Sequence, residues 1–188
     1  MGLRERKKAA TRLALHEAAL SLAARDGLDH VTVEAIADAA NVSRRTFSNY
    51  FSSKEEALFH GDADRMRRML ELLRDQPAGD SPWTALSRAA EALVAEADDD
   101  PDWLARRRQL RAHHGLVPYQ VAAYIAIEND LAAELAGRLT GGDADLRSRV
   151  LAATFLAALR VAAQRWIEHP HGSLIDTVRA ALASAAPA

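Results

Sequence analysis

The spacing of apolar residues along the chain predicts a protein made almost entirely of α-helices. Apolar residues of the first segment recur at intervals of three and four residues, so they share one helical face. These residues are Leu15, Ala18, Ala19 and Leu22. No segment shows a convincing alternation of apolar and polar residues with period two, so no β-strand is expected. We predict an all-α fold of about nine helices.

Residues with capping preferences divide the N-terminal third of the chain into four helices. Gly27 stands where a left-handed residue would end the first helix. Thr32 and Ser43 are suitable N-caps for two short helices that a tight turn separates. Ser52 and Glu55 have the spacing of a capping box, in which each side chain binds the backbone amide of the other. A fourth helix is therefore predicted to begin there.

Polar caps and prolines also mark the helices that follow. Their predicted starts are residues 82, 101, 118, 144 and 174. At the first two of these starts a Ser or Asp precedes a proline. Proline has no backbone N–H, which costs no hydrogen bond at the first helical position because an amide there has no helical partner. The helix that opens at Pro118 is expected to end near Gly141. Asp143 and Ser173 precede the last two helices.

The two short helices and their turn have the form of a helix-turn-helix, because the second of them is rich in Arg, Ser, Thr and Asn. A helix that enters the DNA major groove needs a polar outer side and a neighbouring helix that supports it from behind. Arg44 and Arg45 can donate paired hydrogen bonds to guanine or bind phosphate. Thr46 offers a methyl group to thymine, and Asn49 can pair with adenine. The apolar residues that can support this helix are Val33, Ile36, Ala37 and Val42.

Three stretches in this region resemble the DNA-binding domain of the tetracycline-repressor (TetR) family. They are residues 32–37 (TVEAIA), 42–47 (VSRRTF) and 50–58 (YFSSKEEAL), which occur in the family's order within a match of about residues 5–60. The resemblance implies a three-helix DNA-binding domain over residues 1–52. It also implies a helical ligand-binding and dimerisation domain over residues 53–188.

The same resemblance assigns roles to individual residues. It implies phosphate contacts for Thr32, Tyr50 and Lys54, and it implies that the base-facing residues are Ser43, Arg44, Arg45, Thr46 and Asn49. Family members often carry two tyrosines where this chain has Ser48 and Asn49, so the operator sequence is expected to differ. A lysine at the start of a helix opposes the helix dipole, so we expect no local stabilising role for Lys54. Phe47 and Phe51 are expected to be core residues.

The last two long helices are predicted to pair two copies of the chain. Between Leu146 and Ile167 the sequence is apolar on more than one helical face, as in a helix that packs on its own body and on a partner. A similar stripe on the final helix comprises Leu174, Ile175, Val178 and Leu182. TetR-like proteins usually form dimers through these two helices. The alternative is a monomer in which the long helix is simply the central core helix.

A ligand pocket is expected between the middle helices, because methionines and aromatic residues suit adaptable apolar cavities. Its candidate residues are Met66, Met69, Leu73, Trp83, Leu86, Trp103, Leu110, Tyr119, Tyr124 and Phe155. Taken singly, each of these residue types is more often a core residue than a ligand contact. A basic run at residues 106–111 could meet an anionic ligand or be a solvated surface. Residues 147–153 and 162–166 loosely resemble TetR-type proteins associated with acyl-CoA-like ligands. The resemblance implies a repressor of transcription that binds a palindromic operator and that a small effector releases.

The distribution of charge along the chain is more informative than the net charge. The formal net charge is −2, which by itself argues against nucleic-acid binding. However, basic residues crowd the first twelve positions, where Glu5 is the sole acid: Arg4, Arg6, Lys7, Lys8 and Arg12. A small basic face on a near-neutral body suits a protein that touches DNA at one end. The alternative is a solvated charged tail.

Other classes of function find little support in the sequence. There are no cysteines, so disulfides, thiolate metal sites and a cysteine nucleophile are excluded. The seven histidines lack a further ligand set at metal spacing, and no catalytic motif appears, so we expect neither an enzyme nor a cofactor. A helical adaptor that binds only proteins is a third possibility. Because no signal peptide or membrane span is evident, a cytoplasmic location is expected.

Overall fold

The computed structural model describes residues 2–97, 117–169 and 172–187. Within these residues the chain forms eight α-helices, one 3-10 turn at Leu28–His30 and no β-strand, which confirms the all-α prediction. The helices are α1 (Leu3–Asp26), α2 (Val33–Ala39), α3 (Arg44–Ser48), α4 (Lys54–Arg74), α5 (Pro82–Ala97), α6 (Val117–Ala136), α7 (Ala144–Glu168) and α8 (Leu174–Ala185). The helix predicted to begin at residue 101 lies outside the described residues.

Contacts divide the chain into two compact units. The described residues of the first unit are 2–64 and 117–120, and those of the second unit are 65–97, 121–169 and 172–187. The division falls inside α4 and inside α6, each of which is one continuous helix. The functional boundary expected between residues 52 and 53 stays a prediction.

The first unit is built on one apolar cluster contributed by α1, α2, α3 and the start of α4. Its buried members are Leu15, Ala19, Leu22, Ala23, Leu28, Val31, Ile36, Ala37, Phe47, Phe51, Ala57 and Leu58. Phe47 and Phe51 are therefore core residues, as predicted. Val33 and Val42 are only partly buried at the edge of this cluster. Burial of one face of α1 and α2 thus holds α3 from behind.

The predicted caps of the two short helices are confirmed. The Thr32 hydroxyl accepts a hydrogen bond from the Ala35 amide at 3.1 Å, and the Ser43 hydroxyl accepts one from the Thr46 amide at 3.0 Å. The predicted capping box of α4 is wrong by one residue. Ser53, not Ser52, accepts from the amide three residues later, and the Glu56 carboxylate returns to the Ser52 amide at 2.7 Å.

The second unit has its own apolar cluster, contributed by α4 to α8. Trp83 of α5 packs edge-on against Phe155 of α7, with ring centroids 6.3 Å apart. The Asp143 carboxylate caps α7 at the Leu146 amide, and Ser81 caps α5, as predicted. Helix α6 ends at Ala136, earlier than the expected end near Gly141, because the amides of Arg138 and Leu139 bond the carbonyls three residues back instead of four.

The C-terminal end of α4 is tied to α6. The Arg138 guanidinium donates to the carbonyl oxygens of Leu73, Gln76 and Pro77 at 2.6, 3.1 and 3.2 Å. These carbonyls lie at or just beyond the end of α4. Those of Leu73 and Pro77 also accept turn hydrogen bonds from the Gln76 and Asp80 amides, so the guanidinium is a second, charged donor to them. Arg74 adds an ion pair with Glu134 at 2.7 Å. The last turn of α4 is therefore held by α6 within the second unit.

Candidate nucleic-acid interface

The turn between α2 and α3 is fixed by backbone hydrogen bonds. The Val42 amide donates to the Ala37 carbonyl at 2.9 Å, and the Asn41 amide donates to the Asp38 carbonyl at 3.0 Å. This pair of bonds is the Schellman pattern, which needs a left-handed residue just after the helix. Asn41 has φ 54°, a conformation that asparagine tolerates better than most residues. The sequence of the turn therefore sets the direction in which α3 leaves α2.

Helix α3 presents polar side chains outward and one aromatic ring inward. Phe47 is buried in the first cluster, whereas Ser43, Arg44, Arg45 and Asn49 are exposed and Thr46 is half-buried. The Ser43 and Thr46 hydroxyls bond each other at 2.9 Å, which uses one of their two hydroxyl hydrogens and leaves the other to donate outward. The structure brings the five predicted base-facing residues together along one short helix and its flanks.

The two arginines of α3 differ in their surroundings. Arg44 forms an ion pair with Glu34 of α2 at 3.0 Å, with the two side chains 72% and 56% exposed. An ion pair this exposed contributes little stability, so Arg44 can exchange it for DNA at small cost. Arg45 is exposed and has no ion-pair partner among the described residues. Its five N–H donors are available to a guanine edge or a phosphate.

The structure gives Lys54 a second role that sequence reasoning missed. Its ammonium donates to the carbonyl oxygens of Val31 at 2.9 Å and Leu28 at 3.3 Å. The expectation that Lys54 has no local stabilising role is therefore wrong. The helix dipole opposes a cation at this position, but these two carbonyls outweigh that effect because hydrogen bonds to a charged donor are strong. One of its three donors remains for a phosphate.

Two further residues of α1 shape this surface: Arg12, noted from the sequence only as part of the basic N-terminal run, and His16, which was not singled out. The Arg12 guanidinium donates to the Tyr50 carbonyl at 3.1 Å and lies over the Phe51 ring, 5.5 Å from its centroid. The His16 ring donates from Nδ1 to the Ala57 carbonyl at 2.7 Å. Both lie on α1, four residues apart, so they share one side of that helix. In the sequence, this four-residue spacing beside the apolar stripe of α1 indicates that both side chains face the rest of the unit. It does not indicate which groups they bond.

The residues predicted to line a ligand pocket mostly belong to the core of the second unit. Those in its apolar cluster or packed against it are Met66, Met69, Leu73, Trp83, Leu86, Tyr124 and Phe155. Met69, Leu86 and Phe155 have no accessible surface, so they line no cavity wide enough for a water molecule in this arrangement. Tyr119 is 43% exposed. Trp103, Leu110 and the basic run at residues 106–111 lie outside the described residues.

Helix α7 carries an exposed apolar stripe. Leu146, Val150, Ala157 and Val161 are exposed, and their spacings of four, seven and four residues place them on one side of the helix. By length and composition α7 could cross a membrane, a property that core helices of soluble proteins share. On α8, by contrast, Val178 and Leu182 are buried in the protomer's own core, so that part of the predicted stripe is already covered.

A short polar helix that follows a Schellman turn and carries two outward arginines defines a DNA-binding protein of the helix-turn-helix class. Among the described residues, no group of three His, Asp or Glu side chains is arranged to hold a metal ion. Residues 15–60 match the family model described as bacterial regulatory proteins of the TetR family. Residues 80–188 match the model described as the MftR C-terminal domain.

Individual relatives agree with these models. The chain is 34% identical over 173 residues to the helix-turn-helix transcriptional regulator TcmR of Streptomyces glaucescens, covering 88% of this chain and 76% of the relative. Its fold is similar to that of the fatty acid degradation regulator FadR from Bacillus halodurans, with 18% identity, coverage of 93% and 94%, and a TM-score of 0.60. The chain therefore belongs to the TetR family of DNA-binding transcriptional regulators.

Proposed function

We propose that this chain is a repressor of transcription that binds a palindromic operator as a homodimer and is released by a small effector. The observation that carries the proposal is the arrangement of α3, whose polar side chains face outward while Phe47 anchors it to the core. Thr32, Tyr50 and Lys54 flank this helix and would contact phosphates, which fix the register of a reading helix on the duplex. Ser43, Arg44, Arg45, Thr46 and Asn49 would face the bases.

Dimerisation is supported by the small size of α3, the helix that would contact the bases. Helix α3 has five residues, so one copy contacts few base pairs. Two-fold dimers of helix-turn-helix proteins place two such helices about 34–36 Å apart or at a multiple of that distance, opposite the halves of a palindrome. The exposed stripe of α7 supports pairing through the last two helices, because contiguous exposed apolar residues on a monomer mark interaction sites.

Release by an effector is supported by α4, one helix whose first turns pack in the first cluster and whose last turns pack in the second. A ligand that binds the second unit more tightly in one position of α4 shifts the population of α4 positions by that difference in affinity. FadR of Thermus thermophilus, similar in fold with a TM-score of 0.50 and 23% identity over 94% of this chain and 98% of that chain, is described in complex with lauroyl-CoA. We therefore propose an apolar or acyl-CoA-like effector.

The pocket for that effector would be formed by side chains that retain some exposure. Met66 and Tyr124 are partly buried at the margin of the second cluster, and Trp83 is 9% exposed. Contact with Met69, Leu86 or Phe155 would require their side chains to rearrange. No cofactor and no enzymatic activity are part of the proposal, because the relatives are regulators. The protein would act in the cytoplasm, where its DNA is.

A reporter gene under the promoter that the protein binds tests the repressor role. Deleting the protein should raise expression, and adding an acyl-CoA or apolar compound should release purified protein from operator in an anisotropy assay. Lower expression on deletion would make the protein an activator. Failure to select any DNA from a random pool would favour the helical adaptor instead.

A further inference from the structure

The first three turns of α1 project beyond the core of the DNA-binding unit. Leu15 is the first fully buried residue of the helix, and residues 2–10 are all exposed. Isolated helical turns are marginal in water because most helix stability in proteins comes from packing. Here the unpacked turns also carry four cations and a single acid, Glu5. Like charges four residues apart on a helix repel each other, so this composition weakens the helix by itself.

The cations of this segment are not spread evenly around α1. At about 100° per residue, Arg4, Lys8 and Arg12 form a ridge with spacing of four residues. That ridge continues into the buried stripe that begins at Leu15. Arg6 lies on the opposite side of the helix, about 200° from Arg4. Among the described residues, Arg4, Arg6 and Lys8 have no ion-pair partner, so their charges face solvent unopposed.

Arg12 fixes where this ridge lies. Its guanidinium donates to the Tyr50 carbonyl, two residues after α3, and covers the Phe51 ring. Helix α1 therefore passes close to the end of the reading helix, inside the same compact unit. Lys8 and Arg4 follow about 6 Å and about 12 Å further along the helix axis from Arg12. Each DNA strand carries a phosphate about every 3.4 Å along its axis, so several phosphates lie within the length of this ridge.

We propose that Arg4 and Lys8 bind the phosphate backbone of duplex DNA just outside the segment that α3 reads, with Arg12 as the residue that positions them. This inference rests on the proposed function, because it requires the chain to sit on DNA through α3. It adds a sequence-independent contact surface, formed by a helix that the helix-turn-helix itself does not include. Its contribution to affinity is the release of counterions from the duplex.

The test compares two arginines on the same exposed helical segment. Arg4→Ala and Arg6→Ala remove the same charge two residues apart, one from the ridge and one from the opposite side. Operator duplexes obtained by selection from random DNA would be titrated at several salt concentrations. Each lost phosphate contact should lower the slope of log affinity against log salt by about 0.9 and weaken binding about fivefold near 0.15 M salt. A dimer loses two such contacts with Arg4→Ala, and Lys8→Ala should behave in the same way.

Duplex length provides the second readout. As base pairs are removed from both ends of the operator, wild-type affinity should fall to that of the Arg4→Ala/Lys8→Ala variant, and the variant should change little. Circular dichroism would confirm that all of the variants fold. If Arg4→Ala and Lys8→Ala match Arg6→Ala in affinity and in the slope of log affinity against log salt, the ridge makes no DNA contact of its own and the inference is overturned. Operator binding that still depends on Arg45 would leave the proposed function standing in that case. If the wild-type chain selects no DNA, both proposals fail.

Discussion

Gly61 stands in the middle of α4, where glycine is about 1 kcal/mol less favourable than alanine. The structure gives a reason for it. A Cβ at this position would lie 2.8 Å from Nε2 of His16, closer than real contacts allow. The same ring donates from Nδ1 to the Ala57 carbonyl one turn earlier in α4. Gly61 thus makes room for a histidine that joins α1 to α4.

This relationship predicts non-additive stability. In a His16→Ala background, Gly61→Ala should raise the free energy of unfolding by about 1 kcal/mol, the gain in helix propensity. In the wild-type background the new methyl group displaces the ring and weakens its hydrogen bond, so the gain should vanish or reverse. Denaturant unfolding of the four proteins measures the coupling. Equal gains in both backgrounds would show that the ring does not need the glycine.

Lys54 predicts a stability effect that is independent of DNA. Lys54→Met keeps most of the apolar stem but removes the bonds to the Leu28 and Val31 carbonyls, so the free energy of unfolding should fall by about 1–3 kcal/mol. Lys7→Met, at an exposed position of α1, is the matched control and should change it by less than about 0.5 kcal/mol. Unchanged stability in Lys54→Met would leave phosphate binding as the sole role of this lysine.

At the scale of elements, local signals in the sequence predicted most of the helices. Thr32, Ser43, Ser81 and Asp143 cap the helices that they were expected to cap, because an N-cap bonds an amide only three residues away. Contacts between distant segments could not be predicted in this way. The partners of Arg12 and Lys54 lie 38 and at least 23 residues away, and only the packing of helices brings them together.

The tie between α6 and the end of α4 predicts the cost of one substitution. Arg138→Ala leaves several carbonyls at the end of α4 without their charged donor, so the free energy of unfolding should fall by about 1–3 kcal/mol. Arg149→Ala removes only an exposed pair within α7 and should cost less than about 0.5 kcal/mol. Thermal or denaturant unfolding measures both. Equal costs would mean that water replaces the guanidinium at these carbonyls.

At the scale of the whole molecule, the proposed assembly depends on the exposed stripe of α7. Val150→Asp places a charge in that stripe and should convert a dimer to a monomer, because an unpaired carboxylate buried in an apolar interface is strongly unfavourable. Val121→Asp on α6 is the control, since Val121 and Val150 are 54% and 55% exposed. Light scattering coupled to size-exclusion chromatography gives the masses. A monomeric wild-type protein, or a dimer that survives Val150→Asp, would contradict pairing through this stripe.

The sequence predicted α3 as the helix that faces DNA, but it did not predict which of its arginines has an ion-pair partner. The arginines of α3 were recognised by their position after the turn, whereas the Glu34 partner of Arg44 lies on another helix and was not foreseen. Phe155 was predicted to line a ligand pocket but is fully buried in the core. The sequence could not separate these two roles, because an apolar residue that lines a cavity and one that fills a core follow the same pattern.

Recognition of DNA by α3 is tested by a titration of the protein against its operator DNA at about 0.05 M and about 0.2 M salt. Wild-type affinity should fall about 10³-fold or more between these concentrations, as expected for six or more phosphate contacts. At either salt concentration, Arg45→Ala should weaken specific binding by about 1–3 kcal/mol for each half-site, while Arg25→Ala, far along α1, should bind normally. Binding that ignores salt, or an Arg45→Ala protein that keeps full affinity and sequence preference, would contradict recognition of DNA by α3.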